Sequence, residues 1–120
     1  MPQFIASMSY ELSSATSAVA HKLLRAQLVG RRWQDRCKDR LMPRNTVWML
    51  RQGTGKQTTS TIHDDCAEEL KDAAQAVATS GHDIEVLRAW IQVSGGGTFG
   101  LAPLFYPANE QGTVDVVSRL

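Results

Sequence analysis

Three features of the chain predict its fold class. Short stretches alternate apolar with other residues, as at residues 3–11 and 46–51. Two longer stretches repeat apolar residues at helical spacing. The two kinds interleave in the order β-α-β-β-α-β, followed by a β-rich tail. Two crossover helices laid on one face of a four-stranded antiparallel sheet bury such patterns economically, which makes the expected class α+β with a ferredoxin-like arrangement. The expected division is 1–94 as this domain and 95–120 as a glycine hinge and β-rich tail, part of the same domain or exchanged in a dimer.

The first strand places Phe4, Ala6, Met8 and Tyr10 on one side and Ile5, Ser7 and Ser9 on the other. Ser13 and Ser14 offer an N-cap. Ala15, Val19, Leu23, Leu24 and Leu28 then recur at helical spacing until Gly30, a residue suited to a left-handed C-cap, so a helix is expected over 14–29. Residues 30–52, GRRWQDRCKDRLMPRNTVWMLRQ, read as a β-hairpin around a polar turn at Met42, Pro43, Arg44 and Asn45. Thr61 or Ser60 caps a second helix, with Asp64, Asp65, Glu68 and Glu69 near its positive end and Ile62, Cys66, Leu70, Ala73 and Val77 on one face. Residues 83–94 form a further strand. Its apolar face switches near Leu87, which marks a bulge, and Trp90 falls in its polar set with Glu85, Arg88 and Gln92. Gly95, Gly96 and Gly97 then break the chain before two short strand-like pieces at 101–106 and 113–117.

A chain of 120 residues with 42% apolar and 21% charged residues is long enough to bury one core. Its apolar runs stop well short of the roughly 18 to 20 residues needed to cross a bilayer, and its start lacks the pattern of a signal peptide, so a cytoplasmic protein without membrane contact is expected. Cys37 and Cys66 have no CxxC spacing and read as free thiols in a reducing compartment. The formal charge of +1 hides an asymmetry. Ten basic against three acidic residues through Lys56 give +7, and three against nine thereafter give −6. Such a dipolar chain offers a basic face to phosphate, or pairs basic against acidic with its own copy.

The loop Gly53, Thr54, Gly55, Lys56 ends like a phosphate-binding loop but fails on spacing. Leu50 stands where the first glycine is required, and Gln57 where a hydroxyl should follow the lysine. His21, His63 and His82 lack the spacing of a structural zinc site, and no GxSxG elbow is present. The stronger lead is the hairpin. Arg31, Arg32, Arg36, Lys38, Arg40 and Arg44, interleaved with Trp33 and followed by Trp48, combine phosphate contacts with stacking surfaces. The same tryptophans serve equally as core or dimer-interface residues, and Asp35 and Asp39 neutralise part of the charge.

The strand ending Ser9, Tyr10, Glu11, Leu12, the helix closing at glycine, the strand RRWQDR at 31–36 and the strand NTVWML at 45–50 together resemble the small ferredoxin-like CRISPR-associated proteins of the spacer-acquisition complex. They resemble equally the related virulence-associated D toxins. The resemblance covers the first half as motif and the whole chain as element order. It implies a homodimer that binds DNA or RNA. It also implies, for the members that cut, an acid at the end of the first strand holding magnesium or manganese. That acid, usually Asp, falls on Glu11, which becomes the candidate catalytic and metal-holding residue, and the acid often found on the later strand is replaced by Met49. No other cofactor is implied. The resulting expectation is a small dimeric nucleic-acid-binding protein, with metal-dependent nuclease activity as its extension. The alternative is a non-enzymatic protein–protein interaction module of a defence or mobile-element system.

Overall fold

The computed structural model describes residues 3–95, 98–101 and 115–119, with side chains described over 3–95. The chain runs β1 (Gln3–Leu12), α1 (Ala18–Gly30), β2 (Arg36–Cys37), β3 (Arg40–Leu41), β4 (Thr46–Gln52), α2 (Thr59–Thr79), β5 (Val86–Gly95), β6 (Thr98–Leu101) and β7 (Asp115–Arg119). The main sheet has three strands in the order β4-β1-β5, with both pairings antiparallel. It is an α+β architecture in which β1 lies between strands that come much later in sequence.

Alternation along β1 decides which face is buried. Phe4, Ala6, Met8, Tyr10 and Leu12 all point into one core with Val47 and Met49 of β4. Ala20, Leu24 and Leu28 of α1, and Ile62, Cys66, Leu70, Ala73 and Val77 of α2, join the same cluster. Both helices therefore cover the same face of the sheet, and among the described residues no helix lies on the other face. The bulge expected near Leu87 is present. Glu11 pairs with Arg88 and Leu12 with Val86, so Leu87 is the extra residue, and it stands 48% exposed.

Helix termini depart from expectation in ways that matter for the surface. α1 starts at Ala18, not at 14, because Ser17 is the N-cap and its Oγ accepts from the Ala20 amide at 3.1 Å. At the other end the left-handed residue is Arg32, at φ 77°, and not Gly30. The Arg32 amide donates to the Val29 carbonyl and the Trp33 amide to the Leu28 carbonyl, both at 3.0 Å, which is the Schellman pattern. That turn sends Trp33, 1% exposed, into the core. α2 starts at Thr59 because Thr58 and Thr61 form a reciprocal capping box. The acids from Asp64 onward therefore fall beyond the first turn, outside the strongest part of the helix dipole.

The hairpin expected over 30–52 is also corrected. Only Gln34 pairs with β4, bridging Trp48 through hydrogen bonds of 2.8 and 3.0 Å. The chain then leaves the sheet and folds on itself, β2 against β3, around a two-residue turn at Lys38 (φ 55°) and Asp39. Trp48 explains the departure. It points away from the core, and its indole Nε1 donates to the Arg36 carbonyl at 2.8 Å, pinning the small hairpin over the helix-free face. Cys37 and Trp48, 2% and 6% exposed, are buried there, outside the main core cluster.

The loop after β4 holds no phosphate cradle. A Cβ on Gly53 would come within 2.6 Å of the Phe4 ring, so this glycine is a packing requirement. The Thr54 amide is engaged by the Gln57 side chain at 2.8 Å. In the tail, β6 pairs with β7 in a separate two-stranded sheet. The expected hinge residues Gly96 and Gly97, and most of the expected strands at 101–106 and 113–117, lie outside the described residues. Both cysteines are buried and neither is in a disulfide, and burial pushes the Cys66 thiol up from 9.0 to about 11, with Arg51 opposing and Glu69 and Asp65 adding to it. Among the described residues no helix is long and apolar enough to cross a membrane.

Stability measurements by urea denaturation check these assignments. Gly30→Ala, in open space at the end of α1, and Arg32→Gly, at the left-handed position, should each stabilise the protein by about 0.5–1 kcal/mol. Gly53→Ala should destabilise it by about 1–3 kcal/mol, while Gly55→Ala, with nothing nearby, should be close to neutral. A raised thiol pKa contributes stability that is complete below the unfolded value near 9 and is lost as pH climbs through about 11. The decline should reach about 3 kcal/mol and be absent from Cys66→Ala, so the difference between the two proteins as a function of pH isolates it.

Candidate nucleic-acid interface

The first turn of α1 and the loop before β4 meet at the end of β1. The Tyr10 amide donates to the Asn45 carbonyl at 3.0 Å, and Asn45 takes a left-handed conformation at φ 58° to make the junction. This closes a cleft of about 200 Å³ lined by Tyr10, His21, Lys22, Arg25, Asp35 and Arg44, among others. Lys22 and Arg25 come from α1 and Arg44 from the loop, and all three are exposed. The cleft is smaller than the roughly 300–1,000 Å³ of most small-molecule sites and better matched to a single anionic group such as a phosphate. Burial pushes the Tyr10 phenol up, Arg25 draws it back and Asp35 adds to the rise, so the hydroxyl stays protonated at neutral pH. His21 lines the cleft, and its Nδ1 has no hydrogen-bond partner.

A second groove, of about 570 Å³, lies past the other end of α1 and is lined by Arg31, Arg32, Gln34, Arg51 and Glu69, among others. Arg51 is already occupied. Its guanidinium holds Glu69 of α2 at 2.5 Å in a pair that is only 18% and 25% exposed, tying β4 to α2. Arg31 is half-buried with its Nε unpartnered, and Arg32 is exposed. Five residues of α1, 26–30, lie between Arg25 and Arg31, so at 1.5 Å per residue the two basic groups are only about 9 Å apart along the helix.

The sequence-derived candidates therefore separate. Arg31, Arg32 and Arg44 line the two grooves, while Arg36, Lys38 and Arg40 are exposed on the small hairpin. Trp33 is corrected: it is a core residue, with its Nε1 buried and unpartnered, because the Schellman turn directs it beneath α1. Lys22 and Arg25 were not among the candidates. Their i, i+3 spacing on the polar side of a helix was the available clue, and only the tertiary fold brings them to Arg44.

Glu11 sits on the helix-free face, where its carboxylate meets the Arg88 guanidinium at 2.9 Å across the β1–β5 pair. Among the described residues no three His, Cys, Asp or Glu side chains converge in a way that would hold a metal ion. One carboxylate already neutralised by an arginine does not fit a magnesium or manganese site within a single chain, since such ions draw on several oxygen ligands. His63 lies 3.6 Å from Asp64 on an exposed stretch of α2, with no third ligand. Because the Glu11–Arg88 pair is solvent-exposed, Glu11→Gln should change stability by less than about 1 kcal/mol, as read from the urea midpoint.

Compared with protein families, with curated proteins and with solved structures, the chain finds no match in any of the three.

Proposed function

We propose that this protein binds nucleic acid through the basic side formed by α1, the turn that ends it and the segment leading into β4. The observation that carries the reading is the cleft in which Lys22 and Arg25 of one element and Arg44 of another surround Tyr10. Basic side chains from separate elements repel one another when brought together. Asp35 in the same cleft offsets part of that repulsion, and an anion shared among the three cations offsets the rest. A second observation supports it. Arg32 and Lys38 occupy left-handed backbone positions that glycine fills at lower cost, and both carry exposed positive charge. The acids of α2, Asp64, Asp65, Glu68 and Asp72, remain exposed on their own helix and give the molecule its opposite pole.

The same reading extends to the fold. The strand order β4-β1-β5, with a helix before β4 and another before β5, is that of a ferredoxin-like sheet whose edge strand has shrunk to the Gln34–Trp48 bridge. Binding without cleavage is the form of the proposal that the Glu11–Arg88 pair favours.

Titration with a duplex and with a single strand of unrelated sequence at several salt concentrations tests it. Affinity should fall steeply with salt, and Arg25→Ala with Arg44→Ala should make the logarithmic salt slope shallower by about two contacts without altering sequence preference. A folded protein that binds neither DNA nor RNA at low salt overturns the proposal and leaves the protein-partner alternative. Incubation of the native protein and of Glu11→Gln with nucleic acid and manganese should leave the substrate intact in both. Cleavage by the native protein alone would restore Glu11 as a catalytic residue.

A further inference from the structure

We propose that the helix-free face of the sheet, centred on Trp90, is a stacking platform for a single nucleic-acid strand. The inference rests on the nucleic-acid reading above and specifies its substrate as unpaired. Trp90 is 73% exposed, whereas Trp33 and Trp48 are 1% and 6% exposed. Its setting is set by the strand register. Trp90 lies across from Ser9, and Ser9 from Thr46, with the next row formed by Gln92, Ser7 and Trp48. The neighbours of the indole on this face are thus small hydroxyls and an amide on one side and the Glu11–Arg88 pair on the other. They leave the ring uncovered and supply donors and acceptors beside it.

What occupies such a face is decided by its chemistry. An interface with a second copy would have an apolar centre, and here the single large exposed ring stands among Ser7, Ser9, Thr46 and Gln92. A nucleobase needs a π-face to stack on and polar edges to meet, and both are present. Charge agrees. Arg88, beside Trp90 on the same strand, is paired with Glu11, so the free positive charge comes from the hairpin bearing the exposed Arg36 and Lys38, which is pinned over this same face by the bond from the Trp48 indole to the Arg36 carbonyl. A base-paired duplex presents its base faces only to each other, so stacking on Trp90 selects single strands of either DNA or RNA.

Intrinsic fluorescence reads the proposal directly, because with two indoles buried the water-exposed emission belongs to Trp90. Unlabelled single-stranded DNA and RNA 15-mers and a 15-base-pair duplex are the probes. Either single strand should quench that emission, and the duplex should not. Trp90→Ala should weaken single-strand binding roughly ten-fold or more and duplex binding by less than about two-fold, while Trp90→Phe restores most of the loss. If Trp90→Ala binds single strands as well as the native protein while Arg25→Ala with Arg44→Ala still weakens them, the platform is overturned and the nucleic-acid reading stands. Binding of no probe overturns both. Protection of Trp90 from acrylamide that grows with protein concentration, without nucleic acid, assigns the face to a second copy and overturns the platform.

Discussion

The registration of β1 between β4 and β5 is the constraint on which the rest of the structure depends. With side chains alternating every residue, this pairing sends Phe4, Ala6, Met8, Tyr10 and Leu12 to the helices and leaves Ile5, Ser7, Ser9 and Glu11 on the other side. A slip of one residue would exchange the two sets and bury Glu11. The bulge at Leu87 belongs to the same constraint. Were Leu87 to take a regular place in the ladder, the two halves of β5 would present opposite faces, and either Val86 or Ile91 would leave the core.

From that sheet the positions of the charges follow. α1 lies on the buried face, so its polar side must look outward, and Lys22 and Arg25 are carried there together. The turn after α1 satisfies the last carbonyls of the helix and buries Trp33 in the same motion. The cost is a left-handed arginine at Arg32. Natural chains break a local rule most often where a side chain is needed for something other than folding. Arg32, exposed and lining a groove, breaks such a rule, and the proposed nucleic-acid binding would account for it.

The two faces of the sheet have opposite characters. One is closed by helices and holds nearly all of the buried apolar residues, while the other carries only Trp48 and Cys37 under a small hairpin. Both aromatic rings on the helix-free side have a polar body of chain near them, but only Trp48 is covered. The hairpin that covers it also limits the sheet to three hydrogen-bonded strands, because residues that would have extended the β4 ladder pair with each other instead. Where the sequence predicts a fourth strand, the described residues form a basic protrusion.

By itself the sequence determined the inward faces of β1 and α2, the existence of the β5 bulge and the outward position of Trp90; in α1 it placed Leu24 and Leu28 correctly but also turned Val19 inward, which is 53% exposed, and passed over the buried Ala20. Each of these is a local pattern of period near 2 or 3.6, legible because burial repeats along one element. The basic half of the chain was legible in the same way, as a count. The tertiary structure alone decided where α1 and α2 are capped, since several hydroxyls compete within each N-terminal stretch and the winner is the one whose neighbours complete its hydrogen bonds. It alone decided that Trp33 is core, because the left-handed turn at Arg32 carries the ring inward. The meeting of Lys22 and Arg25 with Arg44 across the end of β1 is likewise tertiary, because residues far apart in sequence become neighbours only after the chain has closed its loops, and no local period records that event.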